Sequence, residues 1–224
     1  TMKLKKIASL MLAGVMAVSM LAGCSNGTKP DDGEKDPVVD SSLTGKVIAA
    51  LDEDTTKNVE FKADSNLEAV LKKAVQNAGS AWTNVDSIIY TDLTAIDDDL
   101  GDNNILAAVS TAGKTEASDK KESKAVFVEK VEGQGKNIAT IVKELANEVD
   151  VRKVGVTGAN KVAWKDLPAY SSDYTDNDKK TYWYDFDYTA GVAVVAVSDA
   201  VTGATNYIVA VTVTRTPTQT YKHA

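Results

Sequence analysis

The chain has 224 residues with 25 basic and 32 acidic side chains, one cysteine and one histidine. Three lysines and no acid precede Cys24, so the remainder carries 22 basic against 32 acidic groups, a polyanion ill suited to nucleic acid. With Cys24 the sole thiol and His223 the sole imidazole, in a polar tail, the sequence offers no intrachain disulfide, no cysteine-ligated metal and no well-held Ser/His/Asp triad.

The opening stretch is basic, then apolar. Lys3, Lys5 and Lys6 are followed by the uncharged run 7–20 and by Leu21-Ala22-Gly23-Cys24. A run of this length fits a signal-peptide core and falls short of the roughly 20 apolar residues of a membrane span. Small residues at 22 and 23 leave room in a peptidase cleft, and Cys24 supplies a thiol. Residues 2–24 resemble the signal region of bacterial lipoproteins. The resemblance implies cleavage before Cys24, lipidation of that residue, and a protein anchored to the cell membrane and facing outside; an exported chain with no disulfide suits a Gram-positive-type surface, with a Gram-negative periplasmic leaflet as the alternative. Two or three acyl chains give stable anchoring where one does not.

Domain organisation follows from composition. Residues 1–23 form the signal peptide. Residues 24–42 hold the lipidated cysteine and a Gly/Pro/Ser/acid-rich tether too polar to offset its ordering entropy. Residues 43–114 and 115–224 then read as two strand–helix–strand units, as one domain or two.

The first unit is expected to open with strands at 45–51 (GKVIAAL) and 58–62 (NVEFK) around the turn 52–56. Ser65 with Glu68 reads as a capping box, and Leu67, Val70, Leu71, Ala74, Val75 and Ala78 recur at helical spacing up to Gly79. A hairpin followed by a helix resembles the start of a ubiquitin-like β-grasp module. Trp82 and a strand at 85–91 complete the unit. The polar stretch 92–124 is broken only by 105–109 (ILAAV).

The second unit repeats the order: a strand at 125–131, a helix striped by Ile138, Ile141, Val142, Leu145, Ala146 and Val149, and a strand at 151–157. The patches 81–85 (AWTNV) and 163–167 (AWKDL) follow the two helices, as in a diverged duplication. Residues 181–188 (TYWYDFDY), 191–198 (GVAVVAVS) and 206–216 (NYIVAVTVTRT) predict a long hairpin turning over 199–205, with Pro217 as its stop and 218–224 as a polar tail. The fold class is α+β: a mainly antiparallel sheet, two amphipathic helices and a long C-terminal hairpin.

For chemistry, no phosphate-cradling loop is present: Gly133-Gln134-Gly135-Lys136 lacks the spacing and hydroxyl of a P-loop. Acidic clusters at 97–104 and 173–178 offer oxygens but no EF-hand pattern, since position 12 from Asp97 is Ala108. The reading is therefore non-enzymatic, with no metal and no cofactor. Eight of the fourteen aromatic residues fall between 164 and 188. On a strand, Tyr182, Tyr184, Phe186 and Tyr188 face one way, and Trp183, Asp185 and Asp187 the other. An aromatic plane beside carboxylates suits a sugar ring or a basic peptide, with Tyr170 and Tyr174 near by; the competing reading is an aromatic core with a solvated reverse face. The expected function is a surface binding module for glycan, cell-wall polymer or protein. The alternative is a structural lipoprotein pairing through exposed strands, with an importer component or hydrolase less favoured.

Overall fold

A computed structural model of the chain describes residues 42–78, 84–96, 122–154, 161–171, 173–175, 179–198 and 203–221. All belong to one compact unit, Val39–Ala224. The architecture is α+β, a mixed and mostly antiparallel sheet with helices on both faces.

Ser42 starts helix α1 (Leu43–Ala49) by accepting a hydrogen bond from the Gly45 amide. This corrects the expected strand at 45–51. Leu43, Val47 and Leu51 follow i, i+4 spacing, Ile48 stands three before Leu51, and all four pack on one core cluster, a pattern the apolar run conceals. With α2 (Glu53–Thr56) next, there is no hairpin and no β-grasp opening. Strand β1 (Val59–Ala63) buries Val59 and Phe61. Helix α3 (Ser65–Ala78) follows, burying Leu67, Leu71 and Ala74. Its cap is Asp64 rather than Ser65, because Asp64 Oδ1 accepts from the amides of Asn66 and Leu67.

Helix α4 (Val85–Ile96) occupies the place of the expected strand at 85–91. Val85, Ile89 and Leu93 form its buried stripe, a period that seven residues are too few to display. Strand β2 (Ser123–Val131) and helix α5 (Ile138–Asp150) stand where the pattern puts them, with Asn137 capping α5 through the Thr140 amide. Of the strand expected at 151–157, a bridge between Val154 and Val162 is present, and 155–160 lie outside the described residues. Trp164–Asp166 make one 3₁₀ turn, and the two-residue β3 (Tyr174–Thr175) follows.

Strands β4 (Thr181–Ser198) and β5 (Thr205–Tyr221) pair antiparallel over their whole length. Pro217 is therefore not a stop, and residues 218–221 are strand rather than tail. The register explains it. The Phe186 amide points away from β5, to the Ala169 carbonyl, so its partner Pro217 sits at a pair that exchanges no bonds with β4. On the other side β2 ends at Ser123, opposite Arg215. The missing amide of Pro217 costs no bond to β4 or β2.

The sheet order is β1-β4-β5-β2, with β1 parallel to β4 and the remaining pairs antiparallel. The units before and after the middle of the chain are not equivalent in it: β1 runs parallel to its neighbour and β2 antiparallel, and their helices cover opposite faces. One face carries Tyr182, Tyr184, Phe186, Tyr188 and the valines of β5 under α1, α5 and Trp164. Trp164 is 1% exposed, donates to the Val149 carbonyl at 2.8 Å, and packs edge-on against Phe61. The other face buries Ala193, Val195, Ile208, Ala210, Val126 and Val128 under α3 and α4. These helices cover only one end of that face.

Candidate functional site

Beyond the reach of α3 and α4, the odd-numbered residues of β4 and the even-numbered residues of β5 come to the surface. Asp185, Asp187, Thr189 and Thr218 are exposed, and Trp183, Thr212, Thr214, Thr216 and Thr220 half-buried. Thr212 and Thr214, at the near end of this row, line a groove with Leu67 and Val70 of α3 and Leu93 and Ile96 of α4. The cross-strand partners are Trp183 with Thr220, Asp185 with Thr218, Asp187 with Thr216 and Thr189 with Thr214. Alternation alone builds this face, since side chains two apart on a strand point the same way.

Three groups are locked together. The Trp183 indole N–H donates to Asp185 Oδ1 at 2.9 Å, and the Thr220 hydroxyl donates to Asp185 Oδ2 at 2.6 Å. Both carboxylate oxygens thus act to hold a ring and a neighbouring strand. Charge-assisted bonds of this kind are the stronger ones. Asp187 stands one step further along the same row, opposite Thr216.

Tyr170 joins from a distant loop. It forms an antiparallel bridge with Asp185, fixed by the Ser171 amide to the Tyr184 carbonyl and the Phe186 amide to the Ala169 carbonyl, both 2.8 Å. Residues opposite one another in an antiparallel pair share a face, so Tyr170 lies on the side of Asp185, and it is 65% exposed. The Tyr188 hydroxyl holds the same loop from the other face, donating to the Pro168 carbonyl at 2.9 Å. Burial pushes the Tyr188 phenol well above its usual pKa, so it remains a protonated donor. Tyr174 takes a different place: β3 pairs it with Tyr182, in register with the buried aromatic row rather than with Trp183.

Two features escaped the sequence reading. One is the row Thr212, Thr214, Thr216, Thr218 and Thr220, a T-x-T alternation that continues through Pro217 instead of ending there. The other is Arg215, fully buried on the opposite face with its guanidinium 4.4 Å from the centre of the Phe186 ring. It brings a fixed positive charge under the strands that carry Asp185 and Asp187, and its aromatic stacking is of the cation–π type. The signal was a lone arginine at an inward position of an otherwise apolar strand. The acidic clusters at 97–104 and 176–178, Trp82, Gly79, the stretch 105–109, Cys24 and His223 lie outside the described residues.

No protein-family model, no curated protein and no solved structure matches this chain.

Proposed function

We propose that this chain is a surface-anchored, non-enzymatic binding module, lipidated at Cys24, that holds a glycan or cell-wall polysaccharide on the solvent-facing sheet surface around Trp183. The observation that carries this reading is the lock on Trp183: an indole fixed by Asp185, itself fixed by Thr220, on a face that no described helix covers. A ring immobilised before the ligand arrives adds no ordering cost on binding. Threonine hydroxyls both donate and accept, and the Asp187 carboxylate accepts, which is the mixture that a hydroxyl-rich polymer requires at its edges. A basic peptide would be served by the carboxylates alone and leave the hydroxyl row without a task.

Membrane attachment rests on the resemblance of residues 2–24 to lipoprotein signals. Among the described residues no helix is long and apolar enough to cross a membrane. The alternative of assembly through exposed strands draws less support, because Val126 and Val128 in the middle of β2 are 2% and 7% exposed, leaving little bare backbone for a partner strand.

The test is a glycan array and polysaccharide pull-down with the full chain and Trp183→Ala. Covering one indole face removes on the order of 60–100 Å² from water, about 2 kcal/mol, so affinity should drop roughly 10- to 50-fold. The melting temperature should stay within about 2 °C, as for a surface side chain. Equal binding by both proteins refutes the site. Binding that is abolished by moderate salt and shown only by basic peptides refutes the ligand class. Lipidation is checked separately by fatty-acid labelling, which Cys24→Ser should abolish.

A further inference from the structure

Tyr170 is the most exposed large hydrophobic side chain among the described residues, at 65%, yet the backbone that carries it is firmly held. The Ser171 amide donates to the Tyr184 carbonyl, and the Tyr184 amide donates back to Ser171 Oγ at 2.9 Å. The Phe186 amide and the Tyr188 hydroxyl donate to the carbonyls of Ala169 and Pro168. Four hydrogen bonds thus fix the place where an aromatic ring stands in water. A tyrosine held in this way has little further freedom to lose on binding, because two torsions place its whole ring. We infer that Tyr170 is a second stacking platform beside Trp183, and that the ligand is a linear β-1,4-linked polysaccharide without acidic groups, bound along its length. This rests on the polysaccharide reading and sharpens it, since the site then grips the interior of a chain and not a single sugar.

The spacing of the two rings carries the argument. The bridge between Tyr170 and Asp185 exchanges no hydrogen bonds of its own, because the bonds flank it at Tyr184 and Phe186. Such pairs bring side chains closest, with Cα atoms about 4.5 Å apart. Trp183 is the next residue along the same face of β4, which makes Tyr170 its diagonal neighbour at about 7–8 Å. Asp185 stands between them and takes the indole N–H, so the Trp183 ring leans along the strand toward it. With bonds of about 1.5 Å, a 1,4-linked pyranose advances roughly 5 Å from one bridging oxygen to the next. A monosaccharide therefore covers one ring, and roughly two or three linked units reach both. A β-1,4 chain is an extended ribbon with flat sugar faces, which suits two rings on a sheet. An α-1,4 chain coils and lifts away from one of them.

Charge sets the remaining limit. Asp185 and Asp187 are exposed on β4, and Glu60 is exposed on β1 opposite Thr189 of the same face. The Lys62 ammonium is held by Glu60 at 2.8 Å. A polyuronate or a phosphate polymer meets like charge here, whereas sugar hydroxyls and amides can donate to these carboxylates.

The experiment is calorimetry of the full chain with β-1,4-linked oligomers of glucose and of N-acetylglucosamine, one to six units long. At least one series should bind, with affinity rising at least tenfold between two and four units and levelling beyond. Tyr170→Ala should abolish that rise and keep the melting temperature within about 2 °C, since no bond that holds the loop involves this ring. Tyr170→Phe should preserve the rise, because stacking needs the ring and not the hydroxyl. Trp183→Ala should weaken every length. A β-1,4-linked mannuronate hexamer and maltohexaose, which is α-1,4-linked, should each bind at least tenfold more weakly than the better of the two uncharged hexamers. The inference is overturned if affinity is flat with length, if Tyr170→Ala keeps the rise, or if mannuronate or maltohexaose binds as well. Any of these outcomes leaves the polysaccharide reading standing as long as Trp183→Ala still weakens binding. Failure of both series to bind at millimolar concentration overturns the inference too, and the polysaccharide reading falls with it only if the glycan array is also blank.

Discussion

Thr44→Val isolates a single hydrogen bond that closes the open margin of the sheet. Along that margin β1 pairs with β4 as far as Val192, whose carbonyl takes the Asp64 amide. The next amide of β4 on that side is Val194, and no strand among the described residues reaches it. Thr44 of α1, 4% exposed, presents its hydroxyl oxygen there at 3.1 Å. Valine has the same shape and branching, so the substitution removes the acceptor and little else. The cost is that of stranding a buried amide, about 1–3 kcal/mol. With a urea m-value of roughly 2 kcal/mol/M for a chain of this size, the unfolding midpoint should fall by about 0.5–1.5 M. Thr44→Ser keeps the acceptor and loses one methyl, about 0.8 kcal/mol, so it should lie clearly nearer to wild type. Hydrogen exchange adds a local readout: the Val194 amide should lose protection in Thr44→Val and not in Thr44→Ser. A midpoint unchanged within 0.2 M, or roughly 0.4 kcal/mol at this slope, together with a protected Val194 amide, refutes the reasoning.

Gly133→Ala should be among the more damaging single changes. An added Cβ would stand 1.9 Å from the Thr205 carbonyl oxygen and 2.9 Å from the Tyr207 ring, and the first of these is backbone that cannot swing aside. Overpacking of this type costs about 1–3 kcal/mol, which lowers the melting temperature by roughly 3–10 °C, and a variant that melts within 1 °C of wild type contradicts it. Glu129→Gln addresses pH. Burial lifts the Glu129 carboxyl above its ordinary value of 4.5, with the ion pair to Arg152 opposing. The folded carboxyl therefore keeps its proton to higher pH than the unfolded one, and its contribution to stability is greatest below pH 4.5 and declines as pH rises through the folded pKa. The stability of wild type relative to Glu129→Gln, followed by thermal melts between pH 4 and 7, should decrease with pH; an increase reverses the assigned cause.

The parts of the fold that could be read from the residues are those with long periods. The stripe of α3 runs from Leu67 to Ala78 and that of α5 from Ile138 to Val149, long enough for the helical period to declare itself, and both helices are present. The alternation in 181–188 likewise places Trp183, Asp185 and Asp187 on the side opposite the buried aromatic row. The misreadings come from short windows. Residues 45–51 and 85–91 are apolar and rich in β-branched side chains, and over seven residues they fit a strand as well as a helix. Tertiary burial of Val47 and of Val85, Ile89 and Leu93 decides both in favour of helix. Pro217 is illegible for a related reason: whether a proline breaks a ladder depends on which way its amide would have pointed, and that is set by pairing partners far away in sequence. The same holds for Tyr170. Nothing local relates it to Asp185, and the bridge exists because the Trp164 turn anchors the loop and Tyr188 grips Pro168.

The outer margin of β4 has a consequence for how the chain reaches this structure. Going along it, β4 is met in turn by Tyr174–Thr175, by the loop at Ala169 and Ser171, by β1 and finally by Thr44. The last two partners come from sequence positions more than a hundred residues earlier than the strand they complete. Closing loops of that size is entropically expensive before any contact rewards it, and folds dominated by such pairings form slowly. The hairpin of β4 and β5, by contrast, is local and can form first. On this topology it should then serve as the template on which α1 and β1 dock, the early part of the chain waiting for the late part. A protein lacking β5 should accordingly collapse without acquiring protected amides in β1, and refolding from urea should show the hairpin amides gaining protection before those of Phe61 and Lys62.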